Sequence, residues 1–246
     1  MGNLEWRLRR PSTDGWRSVC PKVIETRRPQ SLNPERFHRI RGVLDRRQPD
    51  LTVLMERVNK AHNFSAILRN CDSVGVLETH VVLPEKGIDL HHHTAAGTSK
   101  WVRARVHASI QDAVRELHQN GFRVLAAHPS ETAKDYRETD FTRPVALMVG
   151  AELDGLSRDG LALADETVVI PMAGMVKSLN VSVATALLLF EAFRQRQAAG
   201  MYSESRLPKE EYERLLFEWA YPEIAEVHRR RGDPYPRLHS DGEILP

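Results

Sequence analysis

The sequence predicts an α/β protein built around a parallel sheet, and three observations carry that prediction. Short, nearly continuous apolar runs recur between Leu51 and Ile170, as expected of strands buried on both faces. Segments with helical spacing alternate with those runs, the pattern of strand–helix–strand units. At 246 residues, 41% hydrophobic and 28% charged, the chain can build one sizeable core with helices appended to it.

Taken in order, residues 1–30 mix Trp6, Trp16, Pro11, Pro21 and Pro29 with many arginines and no period. They read as a flexible basic arm, or alternatively as an extension without function. Residues 31–50 form an N-terminal helix opened by Asn33-Pro34, a cap followed by proline. Phe37, Ile40, Val43 and Leu44 recur on it at helical spacing, with Arg36, Arg39, Arg46 and Arg47 on its other faces. Residues 51–199 hold the alternating part. Leu51–Val58, Thr79–Leu83, Val102–Ala108, Phe122–Ala127, Val145–Val149 and Thr167–Ile170 read as strands, and Asn63–Val74, Ile110–Gln119 and Asn180–Gln197 as helices. Gly75 and Gly121 follow two of these helices as terminators. Residues 200–246 form a helical extension with a basic tail. Pro208 starts a helix carrying Tyr212, Leu215, Leu216 and Trp219 as a packing stripe, and Glu223–Arg230 is a last short helix running into Arg229, Arg230 and Arg231.

Several classes of protein are excluded. Cys20 and Cys71 are too few for a disulfide framework or a cysteine-based zinc site. The longest apolar stretch, Val181 to Phe190, is too short to span a bilayer, and no signal-peptide core follows Met1, so a cytoplasmic protein without a membrane partner is expected. Adjacent histidines at 91, 92 and 93 point in divergent directions without a completing carboxylate or cysteine, so no metal is expected. The net charge of +2 is modest, but arginines crowd both ends of the chain.

Three polar islands punctuate the apolar pattern: Asn63-Phe-Ser-Ala-Ile-Leu-Arg69-Asn70, Gly150-Ala-Glu152-Leu-Asp-Gly155-Leu-Ser157, and the stretch from Ile170 to Ala184 that includes Ser178-Leu-Asn180. By itself each has a structural reading. Asn63, Ser178 and Asn180 stand where helix caps belong, Arg69 is a helical arginine of the usual solvent-facing kind, and Gly150 permits a close turn after a strand. In this order and spacing, however, the trio resembles the three motifs of the trefoil-knotted RNA methyltransferases of the SPOUT superfamily, most closely those acting on tRNA guanosine 2′-hydroxyls, over roughly residues 31–239.

The resemblance implies a SPOUT-type sheet with a deep trefoil knot in its C-terminal part, a homodimer, S-adenosyl-L-methionine as methyl donor, and tRNA as substrate. The stretch from Arg46 to Thr52, Gly200-Met-Tyr202 and the tail from Arg231 to Pro236 resemble the subgroup acting on guanosine 18 of the D-loop, which implies that target. Another tRNA loop nucleotide, ribosomal RNA, or a catalytically silent RNA-binding dimer are the alternatives. It further implies catalytic roles for Arg69, Asn63, Glu152, Ser178 and Asn180. Donor contacts fall to Ala127, His128, Gly150, Ala151, Ile170, Met172, Ser178 and Leu179, with Pro171 and Gly174 in the same loop. The family often has Asn or Gln at the place of Ala151 and a threonine near His128, so side-chain contacts there are lost while backbone contacts remain. Arg69 is expected to stabilise charge as the ribose oxygen attacks, because a guanidinium is too basic to act as a general base. Phosphate contact is expected from Arg36, Arg39, Arg46, Arg47, Arg229, Arg230 and Arg231.

Overall fold

The computed structural model describes residues 33–84 and 100–245. The expected basic arm at 1–30 and the histidine run at 91–93 lie outside them. The elements run α1 (Pro34–Leu44), β1 (Leu51–Glu56), α2 (Ala61–Ser73), β2 (Glu78–Val82), β3 (Arg103–His107), α3 (Ile110–Gln119) and β4 (Arg123–Ala127), then β5 (Lys134–Asp135), β6 (Val145–Val149), α4 (Arg158–Leu163), β7 (Glu166–Val169), α5 (Val181–Ala198), α6 (Lys209–Ala220) and α7 (Pro222–Arg231). The strands form one sheet in the order β3-β2-β1-β6-β4-β7-β5, every neighbouring pair parallel.

Strand periodicity sorts the apolar runs into two cores. Val53 and Met55 of β1, Leu147 and Val149 of β6, and Leu125 of β4 face α2 and α5, meeting Phe64, Ile67, Leu188 and Leu189. The intervening Leu54, Ala146, Met148, Val124 and Ala126 face the other way, against Ile110, Val114 and Leu117 of α3. Both faces are therefore covered, which is why β1 and β6 are buried along their whole length. The packing stripe of α6 closes a third core with α1, where Ile40 and Leu44 meet Leu215 and Trp219.

Four departures from the sequence reading have local causes. Val43 does not join the α1 stripe; it is exposed, because Ile40 and Leu44 already fill the contact with α6. The short α4 and β5 were not expected: α4 has six residues, too few to display a period, and β5 has two. α2 begins at Ala61 rather than Asn63, so Asn63 lies inside the helix and Lys60 occupies the cap position without a side-chain hydrogen bond. Arg47 is not on the surface at all. It is buried, donating to the Val76 carbonyl at 2.8 Å and to Asp72 at 2.6 Å, with its guanidinium 5.2 Å from the Trp219 ring centre. The charge clamps α1 to α2 and α6, and the expected phosphate contact from Arg47 is withdrawn. Gly75 sits beside this clamp with a positive φ of 86°, and an added Cβ would lie 2.5 Å from the Arg46 carbonyl oxygen.

A second buried arginine fastens the C-terminal end of α5. Arg196 donates to the carbonyls of Phe141, Asp50 and Arg143, to Gln48 and to the Asp50 carboxylate. Arg206, beyond α5, grips the same carboxylate. Burial alone would raise the Asp50 carboxyl, but the hydrogen bonds from Arg206 and Arg196 outweigh it and hold it below the usual carboxylate range. Replacing Arg196 by leucine removes the shared donor and strands three buried carbonyls. We expect a loss of about 3–5 kcal/mol in urea denaturation, and a loss below about 1 kcal/mol would show that Arg206 suffices by itself.

Candidate active site

The C-terminal ends of β4, β6 and β7 open into a cavity of about 710 Å³, at the edge of a parallel sheet where ligands characteristically bind. Val149, Val168 and Leu188 make its apolar floor. Ala127 and His128 enter it from the end of β4, Gly150, Ala151 and Glu152 from the end of β6, and Ile170, Met172, Ser178, Leu179 and Asn180 from the loop between β7 and α5. The residues expected to contact a donor thus converge on one cavity, except Pro171 and Gly174, which lie outside its lining. Its size falls in the range of roughly 300–1,000 Å³ used for small-molecule ligands.

Gly150 closes one wall. Residues 151 and 155 exchange two backbone hydrogen bonds of 3.0 and 2.9 Å, folding the second island into a tight loop. A Cβ on Gly150 would lie 2.2 Å from the Gly155 carbonyl carbon, so only glycine fits beneath that loop. Its far side is fixed by the buried Glu56, whose carboxylate accepts from the Ser157 backbone N–H at 2.9 Å. Ser157 in turn caps α4.

Glu152 reaches from this loop to the start of α2. Its carboxylate accepts from the backbone N–H groups of Asn59 and Lys60 at 3.3 and 3.2 Å, and from the Asn63 side-chain amide at 2.7 Å. Asn63, buried at 2% exposure, uses its oxygen to accept from the Asn180 amide at 3.1 Å. The Asn180 oxygen then takes the backbone N–H and hydroxyl of Ser182, capping α5. One hydrogen-bonded chain therefore joins all three islands. Desolvation would raise the Glu152 carboxyl, but the bonds from Asn63 and the backbone outweigh it and keep it below the usual range. Asn63 is thus a connector rather than the cap its position suggested, while Asn180 is both cap and connector. Ser178 lies exposed on the cavity wall.

Arg69 is exposed, two turns further along α2, and among the described residues no acceptor holds its guanidinium. The next residue, Asn70, donates to the Ser182 carbonyl at 2.9 Å, which locks α2 to the start of α5. Of the expected phosphate contacts, Arg36, Arg39, Arg46 and Arg231 are exposed without a partner among the described residues. Arg229 and Arg230 both pair with Glu226, so their charge is partly spent within α7. Sequence reasoning passed over Asn59 and Lys60, Glu56 and Asn70. The first two act through backbone N–H groups, which leave no trace in residue type. A carboxylate ending a buried strand, as Glu56 does, was the legible signal.

Glu152→Gln keeps the shape of this junction but turns an amide towards three donors. We expect a destabilisation of about 1–3 kcal/mol at neutral pH. Because the folded-state pKa of Glu152 is depressed, its contribution is present above about pH 4.5 and lost as the pH falls further. The gap between variant and wild type should therefore narrow on acidification, and a gap that widens in denaturation curves would contradict this arrangement.

Comparison with known proteins bears on the same residues. The sequence profile described as the SpoU rRNA methylase family matches residues 50–190, and that of its C-terminal region matches residues 194–246. The chain is 52% identical over 215 residues to tRNA (guanosine(18)-2′-O)-methyltransferase of Escherichia coli K12, covering 87% of this chain and 94% of that protein. The crystal structure of the Aquifex aeolicus TrmH/SpoU tRNA modifying enzyme superposes with a TM-score of 0.72 at 42% identity, covering 77% of this chain and 97% of that one. The SpoU methyltransferase AviRb of Streptomyces viridochromogenes, in complex with its cofactor AdoMet, matches with a TM-score of 0.54 at 28% identity over 63% of this chain and 62% of that one. The first and second islands and the cavity walls lie within the matched region, and the chain belongs to the SpoU rRNA methylase family.

Proposed function

We propose that this chain transfers the methyl group of S-adenosyl-L-methionine to the ribose 2′-hydroxyl of a guanosine in tRNA, at position 18 of the D-loop, in a cytoplasmic setting. The observation that carries the reading is the Glu152–Asn63–Asn180 chain, which gathers three distant islands around one cavity. The name printed for the Escherichia coli relative supports the choice of substrate, and the AdoMet complex of AviRb supports the donor.

The cavity fits the donor on its own chemistry. Ile170, Met172 and Leu179 offer apolar walls for an adenine, and Gly150, Ala151, His128 and Ser178 supply backbone and short polar groups around it. The donor contributes a sulfonium that carries the methyl and leaves as a neutral thioether. The protein's part is to exclude water from the reacting atoms, to hold the ribose in line, and to stabilise the oxygen as it loses its proton. Asn63 and Asn180 are joined by one hydrogen bond, Asn180 donating, and keep the wall between donor and ribose in place. Arg69, charged and unengaged, binds the phosphate beside the attacking oxygen and stabilises the developing charge. No metal is required.

Two features of the assembly belong to the same reading. The C-terminal part of the sheet is tied in the family's deep trefoil knot; the crossing of β6 past β4 to reach β7, and the return of α5 onto α2, support it. The chain works as a homodimer. Val183, Leu187 and Phe190 form an exposed apolar stripe at i, i+4 and i+7 of α5, at 47%, 39% and 51% exposure, a surface suited to a second copy of this chain.

The primary test incubates the protein with labelled donor and, in parallel, unmodified tRNA transcripts or ribosomal RNA, and maps the alkali-resistant linkage. Label at guanosine 18 is expected. Label elsewhere would overturn the position, and label in ribosomal RNA alone would overturn the substrate. Arg69→Ala should lower turnover by on the order of 10²–10³ with donor affinity unchanged in calorimetry; near-normal turnover would remove Arg69 from the mechanism. Phe190→Arg should convert the dimer to monomer in sedimentation, whereas a wild type that sediments as a monomer at nanomolar concentration would refute the dimer.

A further inference from the structure

The loop between β1 and α2 is built with unusual constraint and leaves two cations free. Arg57 has φ 54°, the one positive φ at a non-glycine residue among those described. That left-handed conformation is unfavourable for an arginine and persists only where the surroundings impose it. Here they do. The Arg57 backbone N–H donates to the Val82 carbonyl at 2.8 Å, Val58 is buried at 2% exposure, and the backbone N–H groups of Asn59 and Lys60 are held by Glu152. Four successive residues are thus tied to β2, to the core and to the second island.

The side chains are treated oppositely. Arg57 and Lys60 are exposed, and among the described residues no carboxylate pairs with either. Elsewhere on the sheet the chain neutralises such charges: Arg103 and Arg105 on β3 are shared among Glu78, Glu116 and Glu211. Lys60 lines the cavity three residues before Asn63, whereas Arg57 lies outside the cavity lining. The pair therefore runs from the inner rim outwards. A single carboxylate, such as that of the donor's amino-acid end, would meet Lys60 only. A polyanionic strand crossing the rim would meet both.

We propose that Arg57 and Lys60 form a phosphate-binding strap that holds the sugar–phosphate backbone of the substrate RNA across the cavity mouth. This rests on the proposed RNA methylation, which the wild-type protein tests in the same assay. The constrained backbone fixes where both side chains leave the loop before the substrate arrives, so no loop ordering is left for the binding step.

The experiment compares wild type with Lys60→Gln, Lys60→Arg, Arg57→Gly and the double variant Arg57→Gly/Lys60→Gln. It reads KM for unmodified tRNA transcript, kcat, donor affinity by calorimetry, salt dependence of tRNA binding, and melting temperature. Lys60→Gln should raise KM for tRNA roughly tenfold with donor affinity unchanged, and Lys60→Arg should restore most of it. Arg57→Gly suits the backbone, so the melting temperature should hold or rise while tRNA binding weakens. The double variant should lower the slope of log affinity against log salt by about 1.4–1.8, two contacts at about 0.7–0.9 each. Unchanged KM and slope in the double variant would overturn the strap. A loss of donor affinity matching the rise in KM would overturn it too, assigning Lys60 to the donor carboxylate. A wild type that methylates no RNA would instead refute the reaction on which the strap rests.

Discussion

Everything at the cavity depends on the side-chain amide of Asn63. It is the middle of a chain of hydrogen bonds whose ends lie 89 and 117 residues away, at Glu152 and Asn180. An amide is suited to that place, since it donates to a carboxylate on one side and accepts from a second amide on the other. Aspartate could not donate to Glu152, and an apolar residue would remove the shortest of the three bonds to Glu152 and the acceptor of the Asn180 amide. The charge of Glu152 is tolerable there because three donors surround it. Two of those are backbone N–H groups at the start of α2, which lacks a side-chain cap of its own. The second island thus supplies the missing cap of the first, and the same contacts that stabilise the helix shape the site.

A similar economy operates at the opposite end of α5. Asn180 fixes where the helix starts and Arg196 where it finishes, so α5 is anchored at both termini by polar groups while Leu188, Leu189 and Ala192 supply the apolar contact between them. Non-directional burial alone would let a helix of this composition slide or rotate on the sheet. The two polar anchors remove that freedom. They also account for the stripe left over: with Leu188 and Leu189 inward, Val183, Leu187 and Phe190 stay exposed among the described residues, Phe190 meeting Phe193 of its own helix edge-on.

The sheet was largely legible in the sequence, because residues buried on both faces write continuous apolar runs. Val145–Val149 and Ile110–Gln119 have the bounds their patterns suggest. What escaped was shorter than a period, as with α4 and β5, or was written in backbone groups, as with the donors of Asn59 and Lys60. Residue type also misled where one chemistry serves two ends. Arg47 and Arg196 have the same side chain as Arg36 and Arg39, yet the first pair is fully buried and the second exposed. Only the partners tell them apart. Asp72 and the Trp219 ring take one, Asp50 and three carbonyls the other, and none of these is adjacent in sequence.

That distinction bears on how a chain of net charge +2 can present a surface to a polyanion. Among the described residues most arginines are paired, either inward as at Arg47 and Arg196 or on the surface as along β3 and α7. An exposed pair contributes little stability, but it cancels the local field that would attract a phosphate. The cations that remain unpaired therefore matter more than the total. Arg57, Lys60 and Arg69 belong to that group, and all three lie on the loop and helix that begin the first island. The carboxylate nearest them in the chain, Glu56, is turned inward to hold Ser157, and Glu152 is occupied by backbone donors and Asn63. Two carboxylates at the cavity, Glu56 and Glu152, are thus consumed in building it; Asp154, exposed on the lining, is paired with neither Arg57 nor Lys60 among the described residues.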